Sequence, residues 1–146
     1  IFNNEHIMLV VNASNIEKDF NWVKSNIGTY NVELNNISSN TGLIAVQGPD
    51  SASIIKEFLG ENIAGIKRFH FQEDGEILIS RTGYTGENGF ELFVDAERSL
   101  WLWDELMKFS IQPVGLGARD TLRLEKGYLL YGSDADDSTN PLEAGI

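Results

Sequence analysis

The sequence predicts an α+β fold, a mostly antiparallel sheet with helices on one face, of the ferredoxin-like, split βαβ kind. Three observations carry that reading. The elements follow the order β-α-β-β-α-β-β-β-α, with helices mixed among hairpins. Strict βαβα alternation is missing, which argues against a doubly wound parallel sheet. Asp74-Gly75 stands between two apolar runs and marks a tight hairpin, hence antiparallel neighbours. A chain of 146 residues with no internal repeat and no low-complexity linker fits a single domain, 1–146.

Residues 6–11 (HIMLVV) are a short apolar, β-branched run and read as a buried strand. Ser14-Asn15-Ile16-Glu17 has capping-box spacing. Behind it Ile16, Phe20, Val23 and Ile27 recur at helical spacing, so a helix is predicted over 16–27, with Gly28 as its stop. Residues 32–37 and 43–46 are strand candidates around a Ser/Asn/Gly loop. Gly48-Pro49-Asp50 opens a second helix, because proline suits the first helical position and Asp50 the positive end of the dipole. Its apolar set is Ala52, Ile54, Ile55, Phe58 and Leu59, and Gly60 ends it. Residues 68–71 and 76–80 flank the hairpin turn. A glycine-spaced loop covers 82–89, and 90–94 is the next strand. Asp95 caps a third helix whose inner face is Leu100, Trp103, Leu106 and Met107. Over 114–126, Gly115 and Gly117 precede a helical segment that ends at Gly127, and 133–140 is a polar, acidic loop.

The charge balance narrows the function classes. Twenty-two acids against 11 bases give a net charge of −11, which disfavours nucleic acid and anionic membranes, since both are polyanions. The absence of cysteine removes disulfides, thiolate zinc sites, iron–sulfur clusters and thiol nucleophiles. No apolar run approaches the ~20 residues a bilayer span needs. His6 and His70 lack ligand spacing, and the acidic run from Asp134 has Thr139 and Gly145 where a calcium loop needs glycine and a bidentate glutamate, so no metal is expected. The chain opens on Ile1 without a basic segment backed by an apolar one, and closes on Pro141-Leu142-Glu143-Ala144-Gly145-Ile146. It reads as an internal piece of a longer, non-secreted polypeptide, truncated at both ends.

Two stretches are candidates for chemistry. In Arg81-Thr82-Gly83-Tyr84-Thr85-Gly86-Glu87-Asn88-Gly89-Phe90-Glu91, three glycines permit close approach of a ligand to the backbone, or serve a long hairpin turn; the pattern alone leaves both open. It is not a Walker loop, since Gly-Lys-Ser/Thr is absent. In Gly115-Leu116-Gly117-Ala118-Arg119-Asp120, Arg119 sits where a glycine-rich turn enters a helix, a position suited to gripping a carboxylate or ring carbonyl, against the alternative of an ion pair with Asp120 or Glu125.

Arg81-Thr82-Gly83-Tyr84-Thr85-Gly86-Glu87, the run from Gly115 through Arg119-Asp120-Thr121-Leu122-Arg123-Leu124-Glu125, and Pro141-Leu142-Glu143-Ala144-Gly145 resemble signature stretches of the glycine cleavage T-protein family, the aminomethyltransferases. Leu9-Val10-Val11-Asn12-Ala13 and Val46-Gln47-Gly48-Pro49 match in the same order, so the resemblance covers essentially the whole chain. It implies the central part of the T-protein folate-binding fold, with tetrahydrofolate as cofactor. It also implies transfer of the methylene of an aminomethyl group from lipoylated H-protein to tetrahydrofolate, with release of ammonia. The setting would be the bacterial cytoplasm or the mitochondrial matrix. Glu91 resembles the glutamate that holds the pterin, Tyr84 and Asn12 resemble residues lining the folate site, and Arg119 resembles a folate-contacting arginine. Asn88 stands where the family usually has an acid. The family's catalytic aspartate belongs to a Gly-Gly…Asp-Asp stretch upstream of Val10 and Val11, so no catalytic residue is expected within these residues and the isolated chain is expected to be inactive or nearly so.

Two neighbouring readings share the resemblance: the folate-binding portion of a dimethylglycine- or sarcosine-oxidising enzyme, and a non-enzymatic folate-binding module. The family's H-protein is acidic, as is this chain, so H-protein docking is expected mainly outside it. The competing expectation is that Lys67, Arg68, Arg81, Arg119, Arg123 and Lys126 cluster into a local basic face rather than pairing with nearby acids.

Overall fold

The computed structural model describes residues 1–3 and 5–146, in two compact units, Ile1–Ser38 and Ser39–Ile146. In the first unit, helix α1 spans Ile16–Asn26. Its predicted stripe of Ile16, Phe20, Val23 and Ile27 is half-buried, and Gly28 follows at φ +61° as the stop. The entry differs from the capping-box expectation. Asn12 caps a 3₁₀ turn at Ala13–Asn15, accepting from the Ser14 backbone N–H at 3.0 Å and from the Ser14 hydroxyl at 2.7 Å. With that hydroxyl engaged backwards, it does not cap α1.

The two strands expected in this unit are corrected. Residues 6–11 and 32–37 join no sheet, although His6 makes an isolated bridge to Asn3. Apolar, β-branched composition favours extended backbone, but a strand exists only against a neighbour whose N–H and C=O groups complete its ladder. Ile7, Leu9 and Val10 are exposed rather than buried.

In the second unit, strand β1 (Thr41–Gln47) leads through helix α2 (Ser51–Leu59) and a short helix α3 (Glu61–Ala64) to β2 (Phe71–Asp74), β3 (Ile77–Ser80) and β4 (Gly89–Asp95). Helix α4 (Ser99–Leu106) and helix α5 (Leu116–Glu125) follow. The sheet is antiparallel throughout, in the order β1-β4-β3-β2. The β2–β3 hairpin turns at Gly75, whose φ of +59° a side chain resists. Pro49 falls in the turn before α2 rather than at its first residue, and Gly60 ends that helix at φ +95°. The α3 turn was not anticipated; four residues are too few to show a period.

Alternate residues of the sheet point one way into the core: Val46 from β1, Ile77 and Ile79 from β3, and Phe90, Leu92 and Val94 from β4. Ile55 of α2, Ile63 of α3, and Leu102 and Leu106 of α4 meet them in one cluster, so these helices cover one face of the sheet. Phe90, Leu92, Ile55, Ile79 and Leu102 are fully buried, and each is worth about 1.5–3 kcal/mol in apolar transfer. The inner face of α4 is corrected in part: Leu106 points inward as expected, but its buried companion is Leu102, while Leu100 is 70% exposed and Trp103 42%. Two apolar stripes compete in this helix, and the pairing of its first turn with β1 selects the phase. Asp95 precedes a 3₁₀ turn, Ala96–Arg98, and makes no side-chain cap.

Candidate functional site

The face of the sheet opposite the α2, α3 and α4 cluster carries two rows. Leu43, Phe93 and Leu78 form one, across β1, β4 and β3; Ala45, Glu91 and Ser80 form the next. Glu91 is therefore an acid within the apolar run of β4, placed by a period of two on the side opposite Phe90 and Leu92. One neighbour is a hydroxyl and the other a bare methyl.

The hydroxyls form a short relay. Thr82 Oγ1 donates to Glu91 Oε2, and Ser80 Oγ lies 2.5 Å from Thr82 Oγ1. A carboxylate only accepts and Thr82 has one proton, so Ser80 donates to Thr82 and Thr82 to Glu91. Ala45, opposite Glu91 on β1, is exposed and leaves that flank of the carboxylate open. Sequence reasoning singled out Glu91 and missed Ser80 and Thr82. The signal was their i, i+2 spacing at the end of β3, which needs the β3–β4 register to become meaningful.

The glycines of the 82–89 loop have packing reasons. A Cβ at Gly83 or Gly89 would collide with the amide of Gln47. That amide cannot step aside easily, since its Nε2 donates to the Thr82 and Phe90 carbonyls at 3.3 Å each. Its Oε1 is buried without a partner. Gly86 has φ +77° and faces the Lys126 stem. The loop is thus fastened to β1 by Gln47, which fixes Thr82 over Glu91.

Tyr84 and Arg119 are brought together. The Arg119 guanidinium lies over the Tyr84 ring at 4.4 Å from its centroid, and Tyr84 stacks on Tyr128 at 5.9 Å. The Tyr84 hydroxyl donates to the Leu129 carbonyl at 2.5 Å, so this residue offers its ring rather than its hydroxyl. Arg119 makes no ion pair among the described residues, and its expected partner Asp120 pairs instead with Arg123. Glu91 shares no hydrogen bond or ring contact with Tyr84 or Arg119 among the described residues. Asn12 lies in the first unit as the cap described above.

Arg123 is the buried cation of this region, 4% exposed. It donates to Asp120 at 2.7 Å, to Asp134, and to the Tyr128 carbonyl at 3.0 Å. The Leu130 backbone N–H, first, and Arg123, second, hold the Asp134 carboxyl below its ordinary value, while Asp120 raises Arg123 further. Ser138 likewise lowers Asp136 through its hydroxyl and its backbone N–H.

Of the six bases, Arg123 pairs with Asp120 and Asp134, and Arg119 lies over Tyr84. Arg68 stacks on Phe69, and Arg81 donates to the Ile66 carbonyl at 2.6 Å and lies over Phe90. A cavity of about 420 Å³ brings Arg68 and Arg81 together with Glu87, Tyr128 and the glycine loop, but neither Glu91, Tyr84 nor Arg119 lines it. Among the described residues no cluster of His, Asp and Glu is placed to hold a metal, and no helix is long and apolar enough to cross a membrane.

Comparison with known proteins places this geometry. The family described as GCVT N-terminal domain matches residues 1–146. The chain is 48% identical over 150 residues to an aminomethyltransferase of Thermotoga sp. (strain RQ2), covering 97% of this chain and 41% of that protein. It is 49% identical over 147 residues to the aminomethyltransferase of Halothermothrix orenii, covering 95% and 41%. Among solved structures, glycine cleavage system aminomethyltransferase T from Bartonella henselae superposes with a TM-score of 0.77 at 31% identity, over 89% of this chain and 36% of that one. The chain spans about two fifths of the length of the curated relatives it matches. Since the family match runs the whole length of the sequence, and a solved aminomethyltransferase T carries the same α+β fold, the chain belongs to the GCVT N-terminal domain family.

Proposed function

We propose that this chain is the folate-facing part of an aminomethyltransferase of the glycine cleavage system, within a single folate-binding domain. In that reaction the methylene of an aminomethyl group on lipoylated H-protein passes to tetrahydrofolate and ammonia leaves. The relatives are named as aminomethyltransferases, which supports this reading over a dimethylglycine- or sarcosine-oxidising enzyme and over a non-enzymatic module. The observation that carries it is the Glu91 carboxylate on the sheet face opposite the α2, α3 and α4 cluster, held by Thr82 on one side and facing exposed Ala45 on the other.

The donor set fits the proposed ligand. The aminopyrimidine edge of a pterin presents parallel N–H donors, and a fixed carboxylate accepts two of them. Glu91 binds and orients that edge, with the small Ala45 leaving room beside it. Arg119, with no acid partner among the described residues, grips a carboxylate of the ligand, and the Tyr84 ring holds the guanidinium in place. Asn12 is proposed as a further lining residue. Tetrahydrofolate, when bound, supplies the ring nitrogen that accepts the one-carbon unit. The catalytic acid is not among these residues, and H-protein docks mainly elsewhere; the net charge of −11 supports the latter. The setting is the bacterial cytoplasm or the mitochondrial matrix.

Calorimetric titration of the chain with tetrahydrofolate, beside an assay of aminomethyl transfer from loaded H-protein, tests this. Binding without transfer is expected, since removing a positioned acid–base group costs about 10²–10⁴-fold in rate. Transfer at the rate of intact aminomethyltransferases would show that nothing essential lies outside these residues, and absence of folate binding in the intact protein would overturn the reading.

A further inference from the structure

We infer that Thr82, braced by Ser80, is the positioning residue for the Glu91 carboxylate and so sets the direction in which Glu91 receives its ligand. The inference rests on the proposed folate reading of Glu91 and names a residue that reading does not need. A glutamate side chain has three rotatable bonds, and on an open sheet face nothing in its own strand selects a rotamer. Here the Thr82 hydroxyl donates to Oε2, while Ser80 donates to Thr82 from the position directly across the β3–β4 pair.

Thr82 is suited to holding another group still. It is β-branched, so its own χ1 is restricted. Its carbonyl accepts from the Gln47 amide, which is wedged against Gly83 and Gly89. The chain of constraint thus runs from β1 through Gln47 to the Thr82 backbone and from its hydroxyl to Oε2, with exposed Ala45 opposite Glu91 on β1. Bidentate recognition depends on the plane of the carboxylate as well as its charge, so losing the brace should loosen binding without removing the acceptor.

The test uses the intact aminomethyltransferase with Thr82→Val, Thr82→Ser and Glu91→Gln. Thr85→Val is the control, since the Thr85 hydroxyl is buried without a partner in the same loop. Thr82→Val is expected to weaken tetrahydrofolate binding about tenfold, the scale of one hydrogen bond to a charged group. The loss should fall on KM for tetrahydrofolate more than on kcat. Thr82→Ser should recover most of it, Thr85→Val should bind as wild type, and Thr82→Val should add little in the Glu91→Gln background.

A second measurement needs no folate. Side-chain couplings of Glu91 in the free protein should report one χ1 rotamer in wild type and Thr82→Ser, and averaging in Thr82→Val. Averaging in Thr82→Val with unchanged folate binding in both Thr82→Val and Glu91→Gln would keep Thr82 as the positioning residue and sink the folate reading of Glu91. A single Glu91 rotamer retained in Thr82→Val, or a Thr82→Val loss fully additive with Glu91→Gln, would overturn the inference.

Discussion

Strand β4 shows the same backbone to two different surroundings. On one side Phe90, Leu92 and Val94 are buried under three helices. On the other, Glu91 sits between a braced pair of hydroxyls and an exposed alanine. The first side is close-packed and apolar, so its residues answer to volume; on the second, beside the apolar row of Leu43, Phe93 and Leu78, the row of Glu91 answers to donors and acceptors. Changes one residue apart should therefore separate stability from binding.

The largest effect is expected on the packed side. Phe90→Ala removes a fully buried ring from the centre of the sheet and should cost about 3–5 kcal/mol in denaturant unfolding of the intact protein. A loss under about 1 kcal/mol would mean that the two sides are less different than their burial indicates.

Next comes Glu91→Gln, which keeps one acceptor and turns a donor toward a donor. Calorimetry should show folate affinity falling by about 2–3 kcal/mol with the unfolding midpoint nearly unchanged. Glu87→Gln, at an exposed position of the neighbouring loop, is expected to be mild. Equal losses at 87 and 91 would place the pterin away from Glu91.

Ala45→Leu sharpens the contrast on the open flank. The added bulk should lower folate affinity by about 1.4 kcal/mol, a tenfold change, and shift stability by less than about 0.5 kcal/mol, as surface changes usually do. A stability loss larger than the affinity loss would show that the flank is filled by protein rather than by ligand.

Outside both sides, the Asp134 carboxyl offers a pH-dependent control. Held below its ordinary value of 3.8 by the Leu130 N–H and by Arg123, it contributes stability that is fully present above that value and lost as pH falls through its lower folded value. Asp134→Asn should be less stable than wild type at neutral pH, with the gap closing only in acid. A gap that widens in acid would reverse the sign.

In both units what local signals encode was legible and what depends on distant partners was not. Helices α1 and α2 and the β2–β3 hairpin are written in local signals: a 3.6-residue stripe, a glycine stop, Asp74-Gly75. The runs at 6–11 and 32–37 have strand composition, yet a strand needs a partner, and partners are not encoded locally. The phase of α4 was only partly legible, since Leu106 fits both the expected stripe with Leu100, Trp103 and Met107 and the buried one with Leu102, and packing against the sheet decides between them.

At the site, Glu91 and the pairing of Arg119 with Tyr84 concern residues the motifs had named. The Ser80–Thr82 brace and the Gln47 wedge depend on strand register and stayed hidden. Buried Arg123, rather than Arg119, takes Asp120, because on α5 it lies three residues beyond that acid on the same face, whereas the adjacent Arg119 does not face it.

A structure of the intact protein with tetrahydrofolate bound tests the role of the open side of β4 most directly. The aminopyrimidine edge should lie within hydrogen-bond distance of the Glu91 carboxylate, with Ala45 beside the ring and Thr82 still donating to Oε2. Folate bound in the cavity of Arg68, Arg81 and Glu87, with Glu91 untouched, would contradict it.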